Sequence, residues 1–297
     1  MAKHIKDCSI IQYADDTQII LSDTIDNVNE LTKKAGEVLM DIRNYFLGRG
    51  LLLNTNKTQC MFAGSAQYIS RIPDNTTINC NNETIKVSHH VINLGLHMDR
   101  FMSFSPHIDA ISRKVSGILM YLNKIKDYFD DETRVLVVQS LVSSVINYCI
   151  KIWGTTSSMY IEKVQKLQNF AARVAVQGVR KYDHITPTLE KLKWIRIKER
   201  YSYEVCLFIF KILRKQYPSW LYCFPKVGNN RNASTRQNED LFVRKYRTYL
   251  GSRSMTVKGP SCWNTLPQDV KKCVSVESFK NKLKNVFLNS DRESTLS

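Results

Sequence analysis

The tetrapeptide Tyr13-Ala14-Asp15-Asp16 interrupts an otherwise apolar stretch, with Ile10-Ile11 before it and Ile19-Ile20-Leu21 after it. Apolar runs on either side of a short polar segment predict strand, tight turn, strand, with Ala14-Asp15-Asp16 near the bend. That pattern commits the start of the chain to an antiparallel hairpin with two adjacent carboxylates at its tip. Adjacent carboxylates repel each other, and a divalent cation relieves the repulsion. Mg2+ suits one or two carboxylates, with phosphate oxygens and retained waters completing its shell. Asp is also common in turns for its own backbone hydrogen bonding, so the meaning of the pair depends on the rest of the chain.

After the hairpin, Asp23 or Asp26 is placed to cap a helix. Its apolar positions Val28, Leu31, Ala35, Val38, Leu39, Ile42 and Phe46 recur at helical spacing, and it ends at Gly48 or Gly50. Leu51-Leu52-Leu53 and Cys60-Met61-Phe62 read as strands joined by the polar turn Asn54-Thr55-Asn56-Lys57. A hairpin from Thr76 to Met98 follows, turning at Asn81-Asn82 and leading into Asn93-Leu94-Gly95-Leu96, where Gly95 marks a bend or a close backbone approach. The first third therefore reads as an α+β layer.

From Ser105 the pattern becomes helical. Ser105-Pro106 opens a helix whose stripe is Ile108, Ile111, Val115, Ile118, Leu119 and Leu122. A helix from about Asp131 to Ile152 is apolar nearly all round and is expected at the centre. Further helices are expected over Ser158–Val176, Thr186–Leu192 and Ile197–Leu213. Residues 225–240 are polar and read as a linker. In the last part Lys258-Gly259-Pro260 and Asn264-Thr265-Leu266-Pro267 read as turns around Trp263, followed by a basic amphipathic helix from Ser278 to Leu288. Trp153, Trp194, Trp220 and Trp263 are expected to anchor cores.

The charge is divided along the chain. Residues 1–104 carry 10 basic and 11 acidic side chains, whereas residues 105–297 carry 33 basic and 16 acidic, a net charge of +17. A basic field of that size favours a polyanion, with nucleic acid the first choice. The eight cysteines form no CxxC and no Cys-His ligand cluster, which argues against a zinc module and fits reduced thiols. No signal sequence opens the chain and no apolar run is long enough for a membrane span. The expected location is intracellular, in the nucleus, the cytoplasm or both, with no membrane partner.

Taken in order, these segments resemble the C-terminal half of a reverse transcriptase from a non-LTR (LINE-type, Jockey-like) retrotransposon. Tyr13-Ala14-Asp15-Asp16 is similar to the palm hairpin that supplies a metal-binding aspartate in that family. The run Gly50-Leu51-Leu52-Leu53-Asn54-Thr55-Asn56-Lys57-Thr58 is similar to the next palm motif. Asn93-Leu94-Gly95-Leu96-His97-Met98-Asp99 resembles the strand and turn that support the primer end. Leu167-Gln168-Asn169-Phe170-Ala171-Ala172-Arg173, Thr186-Pro187 with Leu192-Lys193-Trp194, and Gly259-Pro260-Ser261-Cys262-Trp263-Asn264-Thr265-Leu266-Pro267 resemble post-thumb signatures. Several motifs in one order are more specific than the tetrapeptide alone.

The resemblance implies a partial palm of antiparallel sheet and helix over 1–104, and a helical thumb and post-thumb region over 105–224. A linker at 225–240 and a small basic unit at 241–297 complete the expected organisation. It implies DNA synthesis on an RNA template from a DNA primer and dNTPs, with two Mg2+ ions. Asp15 is then the principal metal ligand and Asp16 its partner. Tyr13 and Ala14 lie near the primer end, Leu94 and Gly95 approach its backbone, and Lys57 neutralises the departing pyrophosphate. In the family, a first palm strand with its own metal-binding aspartate precedes this hairpin. Twelve residues before Tyr13 cannot hold it, so the isolated chain is expected to bind Mg2+ weakly and to be inactive, or to need a further polymerase segment. A non-catalytic, retroelement-derived protein that binds nucleic acid is the alternative reading.

Overall fold

The computed structural model describes residues 8–81, 83–221, 224–225 and 240–294, the side chains of 220 and 290–294 excepted. The chain divides into two compact units, Met1–Met102 and Ser103–Ser297. It is α+β, with small antiparallel sheets in the first unit and helices in the second.

Strands β1 (Ser9–Tyr13) and β2 (Asp16–Ile20) form the expected hairpin, in register from Ser9 opposite Ile20 to Tyr13 opposite Asp16. Helix α1 (Val28–Leu47) then runs twenty residues, and a one-turn helix α2 (Ala66–Ile69) follows after a long loop. Two more hairpins complete the unit: β3 (Thr77–Cys80) with β4 (Glu83–Lys86), and β5 (His90–Asn93) with β6 (Leu96–Asp99). Leu39 of α1 meets Ile78, Cys80 and Ile85 of the second hairpin in a buried cluster, and Ile19 of β2 packs against it. Gly36 makes this contact close, since a Cβ there would stand 2.5 Å from the Asn79 carbonyl oxygen.

Among the described residues the strands of the expected α+β layer form three separate two-stranded sheets. Leu51-Leu52-Leu53 is no strand. The Leu51 N–H returns to Phe46 O at 3.0 Å and finishes the end of α1, while Leu52 stands 81% exposed. A strand needs a partner for its backbone groups, and here the local alternative takes them. The segment at Cys60 keeps only one parallel bridge, to Val87. Asn82, expected at the turn between β3 and β4, lies outside the described residues.

The second unit is helical: α3 (Ser105–Ile125), α4 (Asp131–Val138), α5 (Ser144–Asn147), α6 (Ile150–Trp153), α7 (Ser158–Ala175), α8 (Thr186–Leu192) and α9 (Ile197–Leu213), then α10 (Tyr249–Ser252), α11 (Met255–Asn264), α12 (Gln268–Lys271) and α13 (Val276–Ser294). Three differences from expectation have physical causes. The apolar stretch 131–152 is not one helix. A π-turn at Gln139–Ser143 follows α4, the Ser144 hydroxyl donates back to Ser140 O at 2.5 Å, and Cys149 is left-handed at φ 52°. The indole of Trp153 donates to Tyr148 O at 2.8 Å and stabilises that break. Its surface is not all apolar contact either, for Leu136, Leu141, Tyr148 and Ile152 are exposed.

The central helix is instead α9, which buries nine of its residues and packs against α6, α7, α11 and α13. Lastly, Gly259-Pro260 lies inside α11 and is no turn. A Cβ on Gly259 would meet Ile209 Cδ1 of α9 at 3.1 Å and Phe224 Cε1 at 3.3 Å, so glycine serves close helix packing there. Trp263 and Phe279 stack beside Phe210 of α9, which joins the last helices to the rest of the unit.

Polar side chains of α7, α11 and α12 act as internal fasteners. Gln165 Oε1 accepts the Ile197 N–H at 2.9 Å, filling a free donor at the start of α9, and Gln168 Nε2 donates to Ile195 O at 2.9 Å. Asn264 both accepts from Leu241 N (2.8 Å) and donates to Leu241 O (2.9 Å), while buried Lys271 pairs with Asp240 at 2.8 Å. Trp153, Trp194 and Trp263 are buried as expected; the Trp220 side chain, Cys223 and most of the expected linker lie outside the described residues.

Candidate functional site

The β1–β2 turn consists of two residues, Ala14 and Asp15, because Tyr13 and Asp16 are the last cross-strand pair. A two-residue loop needs positive φ at one or both positions to match strand twist, and Ala14 supplies it at φ 52°. Asp15 sits in the turn and Asp16 begins β2, so the two carboxylates leave adjacent residues at the tip. Both are exposed.

Strand alternation sorts the neighbouring side chains. Asp16 and Gln18 share one face of β2, with Tyr13 and Ile11 opposite them on β1, while Ile10 and Ile19 belong to the other face. Ile19 reaches the core, whereas Tyr13 and Ile11 remain 67% and 51% exposed. The core therefore holds the hairpin by one face and leaves the acidic face outward.

Gln18 extends that outward face to the third hairpin. Asn93 Nδ2 donates to Gln18 Oε1 at 2.9 Å, and Asn93 ends β5 immediately before the turn of Leu94 (φ 47°) and Gly95 (φ 76°). Two successive left-handed residues make the tight primed turn of a two-residue hairpin, which suits glycine and costs about 1 kcal/mol or more at the leucine. The structure thus joins the first and third hairpins through Gln18, two residues after Asp16, and Asn93, one residue before Leu94. Sequence reasoning missed Gln18 and named Asn93 only as part of the Asn93–Asp99 motif. The parity of Gln18 with Asp16 was readable, but its partner 75 residues away was not.

Lys57 lies in the loop between α1 and α2. Its N–H donates to Asn54 O and Oδ1 at 3.2 and 3.1 Å, forming the turn that the sequence predicts, and its side chain is exposed. The Thr55 hydroxyl donates to Glu83, and Gln59 Oε1 accepts the Ile92 N–H at 3.2 Å, which ties this loop to the second and third hairpins. Among the described residues no ion pair links Lys57 to Asp15 or Asp16. An open groove of about 660 Å³ lies between α1 and β3, lined by Lys33, Glu37, Asp41 and Asn79 among others. None of the tip residues lines it.

Two exposed carboxylates on consecutive residues are a partial donor set. They fit an Mg2+ that takes the rest of its shell from phosphate and water. Among the described residues no group of three or more His, Cys, Asp or Glu side chains is gathered for a metal. No described helix is long and apolar enough to cross a membrane.

No family model and no solved structure matches the chain. The chain is similar to the retrovirus-related Pol polyprotein from type-1 retrotransposable element R1 3 of Nasonia vitripennis, at 27% identity over 145 residues. The aligned stretch covers 48% of this chain and 37% of that protein. The similarity supports a retroelement origin for the chain.

Proposed function

We propose that the chain is the C-terminal part of a non-LTR retrotransposon reverse transcriptase, with Met1–Met102 forming a palm segment and the helical unit the thumb and post-thumb region. The observation that carries the reading is the Tyr-Ala-Asp-Asp tip on a two-residue hairpin, fastened through Gln18 and Asn93 to the Leu94–Gly95 turn. In RNA-directed DNA synthesis the primer 3′ oxygen attacks the α-phosphorus of a dNTP, a new P–O bond forms, and the bond to pyrophosphate breaks. Bound Mg2+ supplies charge neutralisation at the attacking and leaving oxygens. Asp15 and Asp16 hold it, Tyr13 and Ala14 shape the floor beneath the primer end, and Leu94–Gly95 approaches the primer backbone. Lys57 neutralises the departing pyrophosphate.

Two carboxylates are half of such a site, so polymerisation takes a further aspartate from another polymerase segment. The test is RNA-templated extension of a labelled DNA primer by the purified chain with Mg2+, run beside template–primer binding. The expected result is salt-sensitive binding without extension. Extension that persists in Asp15→Asn contradicts the role of Asp15, and absence of binding at low salt contradicts the polymerase reading as a whole. Binding that is intact while Asp15 and Asp16 prove inert to metal favours a retroelement-derived nucleic-acid-binding protein without catalysis.

A further inference from the structure

The helical unit builds one device twice. Arg134, buried in the first turn of α4, donates Nε to Lys126 O at 3.1 Å and Nη2 to Phe129 O at 2.9 Å. It thereby grips both ends of the turn Lys126-Asp127-Tyr128-Phe129. Arg173, near the end of α7, donates Nε to Arg180 O at 3.2 Å and Nη2 to Asp183 O at 3.1 Å. It grips both ends of Arg180-Lys181-Tyr182-Asp183, whose first N–H also donates to Asp183 Oδ2 at 2.7 Å. The third residue of each turn is a tyrosine, 87% exposed at Tyr128 and 90% exposed at Tyr182.

The chemistry around the two rings differs. Tyr182 follows Arg180 and Lys181, and Lys181 Nζ lies 5.5 Å from its ring centroid, whereas Asp127, Asp130, Asp131 and Glu132 adjoin Tyr128 in the sequence. The helices preceding the turns, α3 and α7, pack against each other and are joined near their starts by Lys163 and Asp109 at 2.6 Å. A guanidinium bridging two carbonyls fixes the backbone of each turn, which lowers the ordering cost of binding there. An aromatic face beside a cation suits a single strand, in which bases stack on the ring and phosphates meet the charge.

We propose that Tyr182 is a stacking platform for single-stranded nucleic acid, with Arg180 and Lys181 meeting its phosphates. The choice of ligand rests on the reading of the chain as part of a nucleic-acid polymerase; the two turns and their exposed rings do not. The test is fluorescence anisotropy of a labelled 20-nucleotide deoxythymidine oligomer and of an abasic oligomer of the same length, with the full chain. Tyr182→Ala weakens binding of the thymidine oligomer roughly fivefold or more, whereas Tyr128→Ala, at the equally exposed ring beside the acidic residues, leaves it unchanged. Tyr182→Trp keeps the binding, and the abasic oligomer shows no such dependence.

Both rings are exposed, so the variants keep the wild-type thermal transition, which circular dichroism verifies. Equal loss on both oligomers, or none on either, overturns the proposal while leaving the polymerase reading in place. Loss confined to sedimentation with phosphatidylserine vesicles assigns the Tyr182 ring to a membrane surface and overturns it as well. Absence of any binding by the wild-type chain overturns both readings, whereas tyrosine-dependent binding without metal action at Asp15 overturns only the polymerase reading.

Discussion

Asn93 Nδ2 donates to Gln18 Oε1 at 2.9 Å, joining the hairpin that carries Asp15 and Asp16 to the turn of Leu94 and Gly95. This side-chain bond is partly buried, and Ile19 on the opposite face holds the same strand to the core. Gln18→Ala leaves the Asn93 amide without that acceptor at a cost of about 0.5–1.5 kcal/mol. The expected result is faster amide hydrogen exchange across residues 9–20, with exchange in α1 unchanged. Unchanged protection of the hairpin contradicts a fastening role for the pair.

Gly36 lets α1 lie against β3. Replacing an interior helical glycine by alanine ordinarily stabilises by about 1 kcal/mol, but here the added Cβ meets the Asn79 carbonyl oxygen at 2.5 Å. A backbone atom cannot turn aside, and overpacking costs about 1–3 kcal/mol. Gly36→Ala is therefore expected to lower the urea midpoint of the first unit. A raised midpoint contradicts the close approach of α1 and β3.

Much of this was legible from sequence where local chemistry and burial agree. The Ala14–Asp15 turn and helices α3, α7, α8 and α9 follow from turn residues and from apolar spacing. Leu51-Leu52-Leu53 misled because strand propensity says nothing about a partner strand, and the Leu51 N–H had a local acceptor in Phe46. The stretch 131–152 misled because apolar composition does not show that its backbone breaks at Cys149. Gly259-Pro260 reads as a turn until the approach of α9 is known. At the site, the acids were visible in the sequence, but the Gln18–Asn93 bond depends on two hairpins meeting and leaves no local signal.

Asn264 clamps the backbone of Leu241 in both directions, and Leu241 is fully buried. Asn264→Ala leaves a buried N–H and C=O unpaired, each costing about 1–3 kcal/mol. The expected outcome is a loss of about 2–4 kcal/mol in equilibrium unfolding of the helical unit. A loss below about 0.5 kcal/mol contradicts the clamp.

Burial pushes the thiols of Cys60, Cys206 and Cys262 above their ordinary range, with the neighbouring Cys262 adding to the effect at Cys206. The thiolate is the reactive form, so a raised pKa lowers reactivity at pH 8 and restores it only as pH rises. Native chain is expected to label at these three sites several-fold more slowly than urea-unfolded chain, as read by mass spectrometry of alkylated peptides. Labelling of native Cys206 at the unfolded rate contradicts its placement inside the α9 core.

The central claim is that Asp15 and Asp16 form a metal-binding polymerase tip beside the Leu94–Gly95 turn. Its most direct measurement is iron-directed backbone cleavage, with Fe2+ replacing Mg2+ in the presence of template, primer, dNTP and ascorbate. The account predicts cuts within residues 13–18 and 93–96, suppressed by excess Mg2+ and absent from the Asp15→Asn, Asp16→Asn double variant. Cuts that lie elsewhere, or that persist unchanged in that variant, contradict it.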